Sequence, residues 1–221
     1  MSEALVQMQD AGRTYLQGGI PIEALKSATC RVLPGDRIAM VGPSGSGKST
    51  LLHLMGGLDA PTSGSISWPL LGVADELRPG KIGVVFQWQS LLPSLSVVEN
   101  VSLPLLLMDA VGEDAHTQAM DLLARFGLDA LADRLPEELS GGQLQRVAVA
   151  RSLAARPRLI LADEPTGQLD HPTAMNLLDT LLAHVADTDT ALVIATHNAA
   201  VAERMATTWR MHHGVLEGTD Q

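Results

Sequence analysis

Cysteine, basic charge and long apolar runs are all scarce in this chain. Cys30 is the sole cysteine, so an intramolecular disulfide framework is excluded and the sequence fits a reducing compartment. The chain has 15 Lys and Arg against 25 Asp and Glu, and the net charge of −10 argues against nucleic acid as a partner. The longest apolar stretches, such as residues 103–107, are too short to span a bilayer. Any membrane role must therefore come through a partner chain.

A glycine-rich run lies at residues 42–50 and matches the pattern G-x-x-x-x-G-K-[ST]. It follows an apolar, strand-like segment at residues 38–41 and precedes leucines at helical spacing. Its backbone N–H groups and the start of the helix form a cradle for phosphate, and this context disfavours a merely flexible Gly/Ser loop. The run predicts a nucleotide site, with Lys48 on the β and γ phosphates and Ser49 on Mg²⁺. Its members are Gly42, Pro43, Ser44, Gly45, Ser46, Gly47, Lys48, Ser49 and Thr50.

A second glycine-rich segment reads LSGGQ, formed by Leu139, Ser140, Gly141, Gly142 and Gln143. Ser140 is a good helix N-cap, and an apolar stripe follows it along the predicted helix. Taken alone, the segment could be a capped helix and nothing more. Since a nucleotide on Lys48 already has its phosphates bound, a second helix-end anion site indicates a nucleotide held by another molecule.

With both motifs present, the chain resembles the nucleotide-binding subunits of ABC transporters. The resemblance implies an α/β fold: a P-loop NTPase core with a mainly parallel sheet, a small antiparallel β subdomain and a helical subdomain that carries LSGGQ. It implies one domain over residues 1–221, with the core in residues 1–86 and 156–221 and the helical subdomain in residues 88–155. It further implies a head-to-tail homodimer, in which LSGGQ of one subunit closes over the ATP of the other.

Polar residues follow several predicted strands, and the carboxyl ends of strands in such a sheet gather at one place. Asp163 and Glu164 end an apolar run, and Gln87 and His197 follow two others. By resemblance, Asp163 holds Mg²⁺ through its water shell and Glu164 polarises the attacking water. Gln87 would reach Mg²⁺ and the water, and His197 would contact the γ-phosphate.

Two further parts of the site are implied by the same resemblance. The D-loop corresponds to Gln168, Leu169 and Asp170. Tyr15 stands where family members place an aromatic ring that stacks on adenine, although a half-buried strand tyrosine is the alternative. The cofactors implied are ATP and Mg²⁺.

The segment at residues 88–107 is rich in leucine and corresponds to the groove where a membrane permease docks in this family. Burial of these leucines in helix packing is the alternative. The resemblance implies a motor subunit on the cytoplasmic side of the inner membrane, and it is strongest to the lipoprotein-releasing and macrolide-exporter branch. The chain departs from that branch at Gln168, at Asn198 and in a short segment at residues 65–81. A non-transport ABC ATPase of DNA repair or cell division is the alternative function, but the chain has neither a coiled-coil insertion nor a basic face.

Overall fold

The computed structural model describes residues 3–88, 90–108 and 112–218. Gln89, in the predicted docking segment, lies outside the described residues. The strands are β1 (Val6–Gln17), β2 (Ile20–Val32), β3 (Arg37–Val41), β4 (Ser63–Ser67), β5 (Ile82–Val85), β6 (Leu159–Asp163), β7 (Ala191–Thr196), β8 (Thr207–His212) and β9 (Val215–Glu217). The helices are α1 (Lys48–Met55), α2 (Val97–Leu106), α3 (Gly112–Arg125), α4 (Gly141–Leu153), α5 (His171–Val185) and α6 (Ala199–Ala202).

The strands join into a mixed sheet with the order β4-β1-β2-β9-β8-β3-β7-β6-β5. The pairs β8–β3, β3–β7, β7–β6 and β6–β5 are parallel, whereas β1 pairs antiparallel with both β2 and β4. The α/β fold class with a mainly parallel core is confirmed. The antiparallel part is present too, since β1 pairs with β2 and with β4, which begins just before the short segment at residues 65–81.

Both faces of the parallel sheet are covered, which explains the unbroken apolar runs of its central strands. Every residue of β6 and β7 is buried. Along β6, Ile160 and Ala162 join the hydrophobic cluster that contains α4 and α5, while Leu159 and Leu161 join the cluster that contains α1. Alternate side chains thus point into two cores, and the sheet separates α1 from the helices of the other layer.

The middle of the chain is helical among the described residues, with α2, α3 and α4 and no strand between residues 86 and 158. Helix α2 begins with a capping box, since Ser96 accepts a hydrogen bond from the Glu99 backbone and the Glu99 side chain accepts one from the Ser96 backbone. The division into a core and a helical subdomain at residues 88–155 stays a prediction. Among the residues described, no helix is long and apolar enough to cross a membrane.

The sheet order brings the site together. Strands β3, β7, β6 and β5 are parallel neighbours, so their carboxyl ends lie at one edge. Asp163 is the last residue of β6, and the phosphate loop, Gln87, Glu164 and His197 follow the ends of β3, β5, β6 and β7. Residues spread over more than half of the chain are therefore placed around one cavity.

Candidate active site

The carboxyl edge of the sheet borders a cavity of about 610 Å³. Most of the residues predicted from the sequence to act on the nucleotide lie around it. The lining consists of Ala24, Ser44, Gly45, Gly47, Lys48, Ser49, Thr50, Gln87, Asp163, Glu164 and His197. Ala24 was not predicted from the sequence, because it is an ordinary strand residue and only the packing of β2 against the phosphate loop reveals its position.

The phosphate loop needs glycine at two positions for different reasons. Gly45 has φ of +74°, a left-handed conformation that side chains disfavour. At Gly47, with φ of +104°, a Cβ atom would lie 2.6 Å from the Ala24 carbonyl oxygen. Gly47 also caps α1 without any side-chain hydrogen bond, so the first N–H groups of the helix have no side-chain cap. Such free donors at a positive helix end suit a phosphate.

Lys48 is buried at the start of α1 and folds back over its own loop. Its Nζ donates hydrogen bonds to the carbonyl oxygens of Gly42 at 2.8 Å and Pro43 at 3.1 Å. Ser46 is also buried, and its Oγ has no hydrogen-bond partner among the described residues. A buried polar atom without a protein partner leaves a hydrogen-bonding group open to a ligand. The loop therefore fits a polyphosphate, which offers acceptors to both side chains.

Asp163 ends β6 and is buried, with Ser49 donating a hydrogen bond to its carboxylate. Burial raises the pKa of Asp163, and the neighbouring Glu164 charge adds to the rise. The Ser49 hydrogen bond and the charges of His53 and Lys48 oppose the rise without cancelling it. Asp163 is thus a carboxylate whose charge the free protein compensates only in part.

Glu164 has φ of +48°, which is unusual for a residue with a side chain. Its backbone is held by two hydrogen bonds: its N–H donates to the Ala195 carbonyl at 2.9 Å, and the Gly167 N–H donates to its carbonyl at 3.0 Å. His197 Nδ1 lies 2.8 Å from Glu164 Oε1. Since an ionised carboxylate can only accept, Nδ1 carries the proton of this hydrogen bond. One carboxylate oxygen remains for a water molecule.

The side-chain atoms that could bind a cation in this cavity are oxygen atoms. Ser49, Gln87 and Asp163 all line the cavity. Among the described residues no group of three or more His, Cys, Asp or Glu could hold a metal ion. A small set of oxygen ligands fits Mg²⁺, which commonly binds through one or two protein oxygens and completes its shell with water and substrate phosphates.

Tyr15 does not line this cavity. Its hydroxyl donates a hydrogen bond to Asp59 at 2.8 Å, and the Arg13 guanidinium lies 4.8 Å from the centre of its ring. The cavity is nevertheless close along the sheet, because Tyr15 pairs with Ile22 and Ala24 follows on the same strand. The role of Tyr15 in adenine binding stays a prediction.

The LSGGQ segment and the D-loop lie together at a second cavity of about 290 Å³. Ser140 caps α4 in a capping box with Gln143, whose backbone N–H donates to Ser140 Oγ at 3.3 Å. The lining is formed by Ser140, Gly142, Gln143, Arg146, Gln168, Leu169, Asp170 and Thr173. None of these residues lines the first cavity.

The remaining LSGGQ residues lie beside this second cavity. Leu139 packs, half-buried, against the hydrophobic core. A Cβ atom on Gly141 would lie 3.6 Å from Gln168 Oε1, so the D-loop lies next to the glycines. Arg146, which also lines the second cavity, was not predicted from the sequence. Its position three residues after Gln143 on the same helix would have indicated that the two side chains share one helix face. The functional roles of the LSGGQ and D-loop residues stay predictions.

Comparison with known proteins gives matches over nearly the whole chain. The ABC transporter family matches residues 25–167. The lipoprotein-releasing system ATP-binding protein LolD of Legionella pneumophila strain Paris is 43% identical, over 98% of this chain and 98% of the relative. LolD of Novosphingobium aromaticivorans is 42% identical over 98% of this chain and 100% of the relative, and LolD of Bordetella pertussis strain Tohama I is 41% identical over 96% and 95%.

Solved structures agree with the sequence comparison. The ATP-binding cassette MJ0796, solved as a dimer in a post-hydrolysis state with ADP and Pi, superposes with a TM-score of 0.87 at 36% identity. That match covers 98% of this chain and 99% of the other. A second dimeric structure of MJ0796, described as a bacterial ABC transporter cassette, gives a TM-score of 0.88 at 35% identity over the same shares.

Proposed function

This chain belongs to the ABC transporter family, and we propose that it is the ATP-hydrolysing motor subunit of a lipoprotein-releasing transporter. The family match and the nearly full-length identity to LolD proteins support this assignment. The named relatives also favour the lipoprotein-releasing branch over a non-transport ABC ATPase. ATP is the substrate, and Mg²⁺ is its partner at the proposed site.

The proposed chemistry is positioning of ATP together with electrostatic stabilisation of charge. Lys48 and the first turn of α1 bind the phosphates. The buried Oγ of Ser46, which has no partner among the described residues, donates a hydrogen bond to a phosphate oxygen. When bound, Mg²⁺ would neutralise phosphate charge and offset the buried charge of Asp163. Glu164 orients the attacking water and accepts its proton, while the hydrogen bond to His197 keeps the carboxylate in place.

The separation of the two cavities is the observation that carries the dimer proposal. The LSGGQ and D-loop residues form a helix-end cradle that shares no residue with the cavity around Lys48. A head-to-tail dimer would bring the second cradle of one chain onto the γ-phosphate held by its partner. The dimeric structures of MJ0796 support this arrangement.

A partner-binding surface is proposed at residues 88–107. Trp88, Leu92, Leu106 and Leu107 are exposed apolar side chains in this segment, with Trp88 74% exposed. A smaller cavity of about 180 Å³ beside them is lined by Phe86, Leu103, Pro104 and Leu107 among others. We assign this surface to the permease, which would hold the chain at the cytoplasmic face of the inner membrane.

The decisive test uses Glu164→Gln, which keeps the size and hydrogen bonding of the side chain but removes the base. ATP should bind and remain intact, with turnover lowered on the order of 10²-fold or more. The trapped nucleotide should hold two chains together, so the variant should elute as a dimer in gel filtration with Mg·ATP and as a monomer without it. Hydrolysis at the wild-type rate would contradict the site assignment.

Ser140→Arg in the same background separates the composite site from a self-contained one. The long cationic side chain should fill the second cradle and restore the monomer, while ATP binding at Lys48 persists. The matched control is Ser65→Arg, an exposed serine on β4 that lines neither cavity. A dimer that survives Ser140→Arg would show that the interface lies elsewhere.

A further inference from the structure

Three polar side chains form a connected cluster next to the proposed nucleotide site. Arg13 contacts both carboxylate oxygens of Asp59, with Nε donating to Oδ2 at 2.9 Å and Nη2 lying 2.7 Å from Oδ1. The Tyr15 hydroxyl donates to the same Oδ2 at 2.8 Å. The guanidinium of Arg13 also lies over the Tyr15 ring, 4.8 Å from its centre. Each member of the cluster therefore contacts the other two.

The cluster is tied to both sides of the cavity. On one side, β1 pairs Tyr15 with Ile22, and Ala24 of β2 lines the cavity and packs against Gly47 of the phosphate loop. On the other side, Asp59 follows α1, the helix that begins at Lys48. Asp59 thus connects the strand that carries the tyrosine to the helix that holds the phosphates.

The positive charge of Arg13 is paired with the negative charge of Asp59, so Arg13 is not available to bind a phosphate. Burial raises the pKa of Asp59, but hydrogen bonds from Tyr15 and the Ala60 backbone, together with the Arg13 charge, outweigh burial and leave this pKa below its usual value. Asp59 is therefore ionised at neutral pH and neutralises Arg13 through a two-point ion pair. Arg13 is thereby engaged as a support for the ring and not free as a phosphate ligand.

The geometry also limits how a base can stack on Tyr15. An aromatic ring has two faces, and Arg13 lies over one of them. The hydrogen bond from the hydroxyl to Asp59 fixes the far end of the ring, so the ring cannot swing away from the guanidinium. Any purine that stacks on Tyr15 must therefore use the opposite face, against a ring that the hydrogen bond to Asp59 orients.

We propose that Asp59 and Arg13 are positioning residues that hold the Tyr15 ring for stacking with the adenine of ATP. Asp59 fixes the ring through the hydroxyl and holds Arg13 on one face, and the base takes the other. The proposal rests on the nucleotide site assigned above. It adds two residues that no motif in the sequence marks. It predicts that their loss weakens binding of the adenine base and leaves binding of the phosphates unchanged.

The test compares a nucleotide with a ligand that lacks a base. Dissociation constants of Mg·ATP and of Mg·tripolyphosphate are measured by calorimetry for the wild type, Asp59→Ala, Arg13→Ala and Tyr15→Ala, and kcat is measured with ATP. Because the stacking contact on the aromatic ring is lost, Tyr15→Ala should weaken ATP binding roughly tenfold, and Asp59→Ala and Arg13→Ala about threefold or more. Tripolyphosphate affinity should stay within about twofold of the wild type, since the lost contact involves only the base, and the effect on ATP turnover should appear in KM more than in kcat.

Two further variants make the result specific. Asp59→Asn keeps an acceptor for the Tyr15 hydroxyl but loses the carboxylate charge that pairs with Arg13, so it should recover part of the ATP affinity that Asp59→Ala loses. It also serves if Asp59→Ala does not fold. Asp179→Ala is the matched control, since Asp179 forms an exposed ion pair with Arg204 away from the cavity lining. It should change neither ligand's affinity.

Each result has a distinct meaning. Unchanged ATP affinity in Asp59→Ala and Arg13→Ala, or an equal loss for tripolyphosphate, would overturn the positioning role, because the cluster would then support only the fold or the phosphate loop. Failure of the wild type to bind either ligand would overturn the proposed nucleotide site itself. A loss confined to ATP, with partial rescue by Asp59→Asn, supports the proposal.

Discussion

Replacing Asp163 with Asn should make the ligand-free protein more stable while removing its Mg²⁺-dependent activity. In the folded chain, burial and the Glu164 charge raise the pKa of Asp163. The effective cost of burying an ion is several kcal/mol. The Asn variant avoids this cost but loses roughly 1 kcal/mol of stabilisation, because the hydrogen bond from Ser49 no longer has a charged acceptor. Because the charges of His53 and Lys48 offset a further part of the burial cost, we expect a net gain of about 1–2 kcal/mol, or about 2–8 °C in Tm for a chain of this size.

The sign of the pH dependence follows from the raised pKa. A carboxyl group whose folded pKa lies above its unfolded value stabilises the fold most at low pH and loses that contribution as pH rises through the folded pKa. The advantage of Asp163→Asn should therefore be present at about pH 7.5 and vanish below about pH 4, near the unfolded pKa of aspartate.

Thermal unfolding followed by circular dichroism measures this effect at both pH values. Asp133→Asn, an exposed aspartate that does not line the cavity, is the control and should leave Tm unchanged. With Mg·ATP the order should reverse, because the wild type gains ligand stabilisation that the variant lacks. A lower Tm for Asp163→Asn at the higher pH, or a gain that persists unchanged at the lower one, would refute the reasoning.

Other substitutions test separate parts of the site. Lys48→Ala removes the cation that now bonds to Gly42 and Pro43, so Mg·ATP turnover by the purified protein should be abolished, and unchanged turnover would refute the assignment. Gly47→Ala should lower both Tm and ATP affinity, because its Cβ would lie 2.6 Å from the Ala24 carbonyl; normal values for both would contradict the close packing. Leu92→Asp should abolish co-purification with the permease and spare the fold, whereas Leu16→Asp, at another exposed apolar residue on β1, should leave both intact.

Leu92 is a sharper probe of the docking surface than its neighbour. Both leucines belong to the predicted docking segment and look alike in the sequence. In the structure, Leu91 is half-buried and packs against the hydrophobic core, whereas Leu92 is 43% exposed. A charge at residue 91 would therefore disturb the fold as well as any partner contact. The sequence cannot distinguish the two residues, because exposure depends on how the segment packs onto distant helices.

The parts of the site that were predictable depend on local chemistry. A phosphate loop needs glycine for positive φ, an acid pair follows a buried strand, and each pattern is complete within a few residues. The parallel order of strands then brings Gln87, Asp163 and His197 together by a general rule of such sheets. The LSGGQ segment and the D-loop likewise lie side by side at the second cavity.

The contacts of Tyr15 were beyond the reach of the sequence for a physical reason. Asp59 lies 44 residues away along the chain and matches no motif, so its hydrogen bond to the tyrosine depends on how the segment between α1 and β4 lies against β1. The bulges in the β1–β2 pairing between residues 8 and 14 also shift the register, which a strict alternation pattern would not predict. Side-chain neighbours set by packing need three-dimensional coordinates.

The free chain carries several local costs at the same edge of the sheet, and they point to one cause. Glu164 adopts a positive φ, Asp163 is a buried carboxylate with a raised pKa, and Ser46 has a buried hydroxyl without a partner in the described part of the chain. Such costs persist only where the surrounding fold enforces them, and here the fully buried strands β6 and β7 do so for the two acids. A bound cation and polyphosphate would relieve the second and the third. The fold therefore keeps these groups in place for ligand binding, at a cost to the stability of the free protein.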